Sequence, residues 1–506
     1  MNKIICFITT LIFSSTLTAF TINLDIEYQE AQSGKAVRQS KELAIEPSTI
    51  SNEGLHKTLF AIKLSNLIKS SVASYHAALN HYHDRYPVPV PLDYCGRRPC
   101  PVPPPYYLDQ IRREHSVALA NSIERLELHE SFQYHSDVKE ALVLGKKLAD
   151  NMLKGEFGPV FDMMPPRVAG KMANMCAEAS SALAVTTGGV KDYSHWKKQV
   201  EDGYVPVPDA FIEEGFLSGF SLALFSEGTD QMISLNPAYA YDAQMQKLYL
   251  QVGMESNVTA ESFKRPPLNL CFVIDISGSM AATDNTERTR LEWAKDAASQ
   301  AIEQLNEQDI LSIVLFDTES VVLLEPMAVS DKEYIYKRLR AIQPRNSTNL
   351  YAGLADGYRL VSRASKPGYE NRVLLFSDAG LNTGMTATDS ILRLVSDHAA
   401  ENIGLTAIGI GENFHHNFIH KITMSKGGNA HFVHSGKDMM KFFRNFAFLV
   451  TPIAYNLKIS AEVPAKLVKA YGVPMEKGEP VHELINVRTL FFTGEGGGAI
   501  VLEYDL

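Results

Sequence analysis

A series of short, largely apolar runs constrains the fold of this chain more than any other feature. Residues 270–274, 310–316 and 403–410 lack the regular polar–apolar alternation of a half-exposed strand. Such runs suit strands that are buried on both faces, as in a parallel sheet covered by helices. Segments with helical spacing lie between them. We therefore predict that residues 265–450 form an α/β domain with a doubly wound, mostly parallel sheet.

A polar loop follows the first of these runs. Asp275, Ser277 and Ser279 place one carboxylate and two hydroxyls on a short segment. The carboxyl end of a strand is where an open α/β sheet binds its ligands. These oxygen donors can hold a hard cation without fully neutralising it. Taken alone, the pattern is equally typical of a polar turn.

Two later segments place further oxygen donors at the ends of elements. Thr348 lies just before a helical pattern over residues 350–361, and its simplest role is to cap that helix. Asp378 follows a second buried run, residues 372–377. Because the carboxyl ends of parallel strands share one edge of a sheet, Asp378 is expected to lie beside Asp275.

Asp275, Ser277, Ser279, Thr348 and Asp378 resemble, in this order, the metal-ion-dependent adhesion site of the von Willebrand factor type A domain. The resemblance implies a bound Mg²⁺, touched directly by the hydroxyls and often through water by the carboxylates. Mn²⁺ or Ca²⁺ is the alternative ion. It also implies a protein partner that presents an acidic side chain. The chain departs from the family at Ala379, because an Asp-Gly pair is common there.

The segments on either side of the α/β domain also carry a resemblance. Residues 265–270 and 494–499 are similar to bacterial secreted type A proteins labelled Ca-activated chloride channel homologues. Residues 206–264 and 451–506 contain strand patterns, so we predict one strand-rich domain into which the α/β domain is inserted.

The first part of the chain is predicted to be different in character. Residues 55–205 show helical periodicity around a proline-rich loop, which predicts an α-helical domain. Residues 20–54 are predicted to be a linker. Residues 1–19 are predicted to be a secretory signal, because a lysine precedes an apolar centre and a small residue. We therefore expect an exported protein of the periplasm, cell envelope or extracellular space, with no transmembrane segment beyond the signal.

The cysteines give a second indication of an oxidising compartment. Cys95 and Cys100 lie within the proline-rich loop and are expected to form a local disulfide. Half of a zinc site is the alternative. Cys271 lies within the first buried run and is expected to be a small core residue.

Charge and the absence of catalytic patterns complete the functional prediction. The net charge of -10 disfavours nucleic acid as a partner, because phosphate binding requires clustered Lys and Arg. Neither Ser277 nor Ser279 has an identifiable His and acid partner, so the chain is predicted not to be an enzyme. We predict a divalent-metal-dependent protein-binding or adhesion protein. The alternatives are a scaffold that assembles an envelope complex, or an accessory subunit of an enzyme complex.

Overall fold

A computed structural model gives the fold of the chain. It describes residues 20–46, 49–52, 54–85, 105–127, 136–155, 182–190, 194–222, 232–242, 245–259, 262–283, 288–345, 348–378, 385–411, 416–433, 446–473, 484–493 and 499–506. The predicted signal and the predicted pair Cys95 and Cys100 lie outside these residues.

The strands of the described residues occur from one end of the chain to the other. In chain order they are β1 (Phe20–Glu30), β2 (Ala36–Ile45), β3 (Ala182–Thr187), β4 (Gly189–Val190), β5 (Ser234–Leu235), β6 (Ala238–Asp242), β7 (Lys247–Val252), β8 (Met254–Thr259), β9 (Leu268–Asp275), β10 (Ile310–Phe316), β11 (Ser320–Ala328), β12 (Glu370–Ser377), β13 (Ile403–Ile410), β14 (Asn429–Val433), β15 (Pro452–Glu462), β16 (Lys466–Tyr471), β17 (Leu484–Thr493) and β18 (Ile500–Asp505).

The helices fall into two groups, one before the α/β sheet and one around it. In chain order they are α1 (Gly54–Arg85), α2 (Pro105–Glu127), α3 (Ser136–Lys154), α4 (Ser194–Glu201), α5 (Glu213–Ser218), α6 (Arg290–Glu303), α7 (Lys332–Arg340), α8 (Leu350–Ala364), α9 (Met385–Ala400), α10 (His416–Thr423) and α11 (Phe446–Val450). Among the helices in the described ranges, none is both long and apolar enough to cross a membrane.

The α/β domain is built on a seven-stranded sheet of order β11-β10-β9-β12-β13-β14-β4. Its neighbouring strands pair in parallel, except that β11 runs antiparallel to β10. Successive residues of β9 point to opposite faces, as strand geometry requires. Phe272 packs in one core with α6, α7 and α11, and Val273 packs in another with α8, α9 and α10. Helices on both faces explain why β9, β10 and β13 are fully buried.

Strands from both sides of the α/β domain share the remaining sheets. One antiparallel sheet has the order β2-β1-β15-β17-β3-β8-β5 and the other has the order β16-β18-β7-β6. Their inner faces meet in one apolar core, to which Ile26 and Leu457 contribute from the first sheet and Leu250 from the second. Tyr471 and Val501 pack in a further core with the N-terminal helices. The smaller sheet therefore lies between the larger sheet and a helical layer.

Residues 20–54 are not the linker that the sequence analysis predicted, since they contain β1 and β2. β1 pairs with β15 from the far end of the chain. Its apolar side chains alternate with polar ones and are buried, namely Ile22, Leu24, Ile26 and Tyr28. Polar residues on the opposite face lower the average hydropathy of the segment, although the alternation itself is a strand signal.

The limits of the predicted helical domain also differ from the structure. β3 lies within residues 55–205 but pairs with β17 and β8 in the larger antiparallel sheet. β4 adds a strand to the α/β sheet beside β14. The helical layer in turn continues into residues 206–264, where Phe211 packs against Trp196 and Phe216 packs against Phe211. Tertiary packing, rather than local periodicity, decides these limits.

Arg372 connects the α/β sheet to the segments that follow it. This fully buried side chain donates hydrogen bonds to Val450 O at 2.8 Å, Gly427 O at 2.6 Å and Thr406 Oγ1 at 3.1 Å. It also pairs with Glu370 at 3.0 Å. Its guanidinium lies 5.6 Å from the ring centre of Phe491 in β17. One charged side chain therefore joins strands, a helix end and the antiparallel sheet.

Candidate metal site

The candidate site lies at the carboxyl ends of β9 and β12. These neighbouring strands run in parallel, with Phe376 opposite Ile274, so Asp275 ends β9 beside Ser377. In the sheet, β10 lies on one side of β9 and β12 lies on the other side. The order of the strands therefore reverses at β9. Ligands of open α/β sheets bind in the crevice at such a reversal of strand order.

Asp275 is held in place by two hydrogen bonds. Its Oδ1 accepts from the Ser277 backbone N–H at 2.9 Å, and its Oδ2 accepts from Ser377 Oγ at 2.6 Å. The side chain is fully buried. Burial and, secondly, the nearby charge of Asp378 raise the pKa of Asp275 to about 6, although the two serine hydrogen bonds oppose this. A divalent cation would offset the repulsion between these carboxylates.

Ser277 and Ser279 present their hydroxyls side by side. They flank Gly278 at the beginning of a 3₁₀ turn, and their Oγ atoms lie 3.1 Å apart. The fully buried side chain of Met280 anchors the turn in the core, and the Met280 N–H donates to Ser277 O at 3.0 Å. Ser277 is buried but Ser279 is exposed. The turn thus directs one hydroxyl inward and leaves the other accessible to solvent.

Asp378 has a buried partner that the sequence analysis missed. Arg290 Nη1 donates to Asp378 Oδ2 at 2.7 Å, and the two side chains are only 5% and 1% exposed. Arg290 is the first residue of α6, whose capping box joins Thr289 and Glu292. A cation at a helix N-terminus opposes the helix dipole. An arginine at this unfavourable position is the sequence feature that could have indicated a buried acidic partner for Arg290.

Thr348 is buried, but it does not cap α8 as its simplest role suggested. Asn349 is the N-cap, and its Oδ1 accepts from the Ala352 N–H at 3.2 Å. The backbone of Asn349 also bonds to Asp317 O in the loop after β10. Within the described residues, the Thr348 hydroxyl makes no hydrogen bond to the other four predicted ligands. Asn349 therefore takes the capping role that the sequence suggested for Thr348.

The loops that carry these residues are joined through their backbones. The N–H of Arg345 donates to Ile276 O, between Asp275 and Ser277. The N–H of Ile276 in turn donates to Phe316 O at 2.9 Å. The structure thus brings Asp275, Ser277, Ser279 and Asp378 to one strand edge, and it ties the segment before Thr348 to that edge.

The donors present fit a hard divalent cation. They are carboxylate and hydroxyl oxygens, which Mg²⁺, Mn²⁺ and Ca²⁺ accept. In the described ranges, no cluster of three or more His, Cys, Asp or Glu side chains is arranged to hold a metal. The described donors of the site include neither His nor Cys, which are the usual ligands of structural zinc sites.

Cys271 is a core residue, as predicted. It is a free, fully buried cysteine, and its neighbours along β9 are apolar side chains. Burial raises the pKa of its thiol to about 12, so it is a poor metal ligand or nucleophile at neutral pH.

An α/β sheet with acidic and hydroxyl side chains at one strand edge defines a general class of ligand-binding domain. Comparison with known proteins is more specific: the family model of the von Willebrand factor type A domain matches residues 270–381. The chain therefore contains a von Willebrand factor type A domain.

The relatives share this domain but differ in overall length. The uncharacterized protein YfbK of Escherichia coli (strain K12) is 24% identical over 303 residues, which cover 58% of this chain and 51% of that protein. Human inter-alpha-trypsin inhibitor heavy chain H3 is 26% identical over 183 residues, 34% of this chain and 20% of that protein. The chain thus spans about half of YfbK and about a fifth of H3.

A likeness to solved structures is also found. A von Willebrand factor type A protein from Catenulispora acidiphila is 14% identical, covers 56% of this chain and 67% of its own, and gives a TM-score of 0.37.

Proposed function

We propose that this protein is a non-enzymatic binding protein that uses a divalent cation, preferably Mg²⁺, to bind an acidic side chain of a protein partner. Asp275, Ser277, Ser279, Thr348 and Asp378 would hold the cation. The observation that carries this proposal is the buried Asp275 carboxylate beside Asp378, with the exposed Ser279 hydroxyl at the same edge. A bound cation would supply a positive centre for the partner's carboxylate.

The chain's own residues prepare the donors. Ser277 N–H and Ser377 Oγ orient the Asp275 carboxylate, and the 3₁₀ turn holds two hydroxyls together. Fixed donors cost less entropy when an ion binds. The exposure of Ser279 leaves one side of the site open to a partner, which a fully enclosed structural metal site would not do.

We also propose that the site is not catalytic. In the described part of the chain, the Ser277 hydroxyl contacts that of Ser279 and no histidine. A serine nucleophile requires an adjacent base. The proposed location is the cell envelope or the exterior, and it is supported by the apolar segment within residues 1–19 and by the two cysteines of the proline-rich loop.

Metal titration tests the first half of the proposal. Calorimetry of the full chain with MgCl₂ and MnCl₂ should detect one site, and Asp275→Asn should remove it without loss of secondary structure. Asp356→Asn is the matched control, because Asp356 is a carboxylate of the same domain that instead pairs with Ser320 and Arg359. Equal metal affinity in both variants would overturn the assignment of Asp275.

Partner capture tests the second half. Immobilised protein in Mg²⁺ should retain a specific envelope protein that chelator releases, and the Asp275→Asn variant should not retain it. Capture that is unchanged by both chelator and substitution would refute a metal bridge. A stable complex that purifies from cells and is broken only by the substitution would instead favour the assembly scaffold.

A further inference from the structure

Arg290 is a buried positive charge within the candidate metal site. Its guanidinium donates to Asp378 Oδ2 at 2.7 Å, and only 5% of its side chain is exposed. Burying a charge is costly unless it is paired. The helix dipole of α6 adds to that cost, because Arg290 lies at the positive end of the helix. The position of Arg290 is therefore explained by Asp378 and not by the helix.

Arg290 changes the charge balance of the proposed site. Asp275 and Asp378 contribute two negative charges, which by themselves would neutralise a divalent cation. Arg290 contributes one positive charge, so these three described side chains together carry a net single negative charge. A divalent cation would then leave the site with one uncompensated positive charge. In a buried environment such a charge interacts strongly with a nearby anion.

We infer that Arg290 makes the metal-loaded site select a ligand that brings a carboxylate. The inference rests on the proposed function, since it requires a bound cation. Arg290 is a positioning residue here: it contacts Asp378 and acts on the partner through the charge of the site. The guanidinium bonds Asp378 at Oδ2, so the arginine contacts the carboxylate that the proposed site would use.

Arg345 provides a matched exposed charge. Its backbone N–H donates to Ile276 O, so it lies at the same strand edge, but its side chain is exposed. Solvent screens an exposed charge far more than a buried one. Removing the charge of Arg345 should therefore have little effect on the charge balance that Arg290 sets.

Mn²⁺ binding to the full chain tests this inference. Mn²⁺ affinity is measured by paramagnetic resonance in chloride and in acetate at equal ionic strength. In the wild-type protein, acetate should strengthen Mn²⁺ binding, because a ligand that prefers the loaded site raises the affinity of that site for metal. Arg290→Met should bind Mn²⁺ on the order of tenfold more tightly in chloride, because a nearby positive charge is gone. It should also lose the acetate effect.

Two further variants separate charge from structure. Arg290→Lys keeps the positive charge and should retain the acetate effect even if Arg290→Met folds poorly, which circular dichroism checks. Arg345→Met should behave as the wild type. Loss of the acetate effect in a folded Arg290→Lys variant, or its retention in Arg290→Met, would overturn the inference while leaving the metal site intact. No Mn²⁺ binding by the wild-type protein would overturn the proposed function and, with it, the inference.

Discussion

Replacement of Arg372 by methionine should destabilise the α/β domain by about 3–5 kcal/mol. Methionine can fill much of the space of the arginine stem, but it cannot donate hydrogen bonds. The change leaves the carbonyls of Val450 and Gly427, now bonded at 2.8 and 2.6 Å, without this donor. Each such buried acceptor costs about 1–3 kcal/mol. Glu370 also loses its ion-pair partner Arg372, which lies at 3.0 Å. Part of this loss is offset, because the variant has no guanidinium to desolvate on folding.

The two tryptophans of the chain allow this effect to be assigned to one part of the molecule. Trp293 lies on α6 in the α/β domain, and Trp196 lies in the helical layer. Urea unfolding is followed by Trp293 fluorescence in a Trp196→Phe background. Arg363→Met is the control, since Arg363 forms an exposed ion pair with Glu325 that is worth at most about 1 kcal/mol. Equal free energies of unfolding for the two methionine variants would refute the structural role of Arg372.

Three further predictions concern the site and its support. Gly353→Ala should cost about 1–3 kcal/mol and weaken Mg²⁺-induced thermal stabilisation, because a Cβ would lie 2.7 Å from buried Phe316 and would displace α8. A melting temperature of the variant equal to that of the wild type, both with and without Mg²⁺, would contradict this. Burial raises the pKa of Glu370 from 4.5 to about 7, so the folded state retains a proton that the unfolded state releases. The wild-type free energy of unfolding should therefore fall by about 1–3 kcal/mol as pH rises through this range, and urea titrations should show a smaller fall for Glu370→Gln. Ser377→Ala removes the donor at 2.6 Å from Asp275 Oδ2 and should weaken Mg²⁺ binding about tenfold by calorimetry; full affinity would exclude an orienting role.

The sequence made the site residues recognisable because their chemistry is local. Asp275 directly follows a buried run, and Ser277 and Ser279 lie on the same turn, so proximity along the chain ensures proximity in space. The place of Asp378 beside Asp275 could also be predicted, because parallel strands bring their carboxyl ends to one edge. Thr348 was harder to assign, since Thr and Asn are both good caps and only the structure shows that Asn349 takes that role.

Long-range packing decided what the sequence left open. Residues 20–54 were predicted to be a linker, but they contain β1, whose partner β15 is more than four hundred residues away. No local pattern indicates which distant strand completes a sheet. Arg290 enters the site for the same reason, since its partner Asp378 is 88 residues further along the chain. The sequence by itself therefore determined the buried strands and the oxygen donors at their ends. Only the tertiary structure decided which strands pair across the chain, and which buried charge lies against the donors.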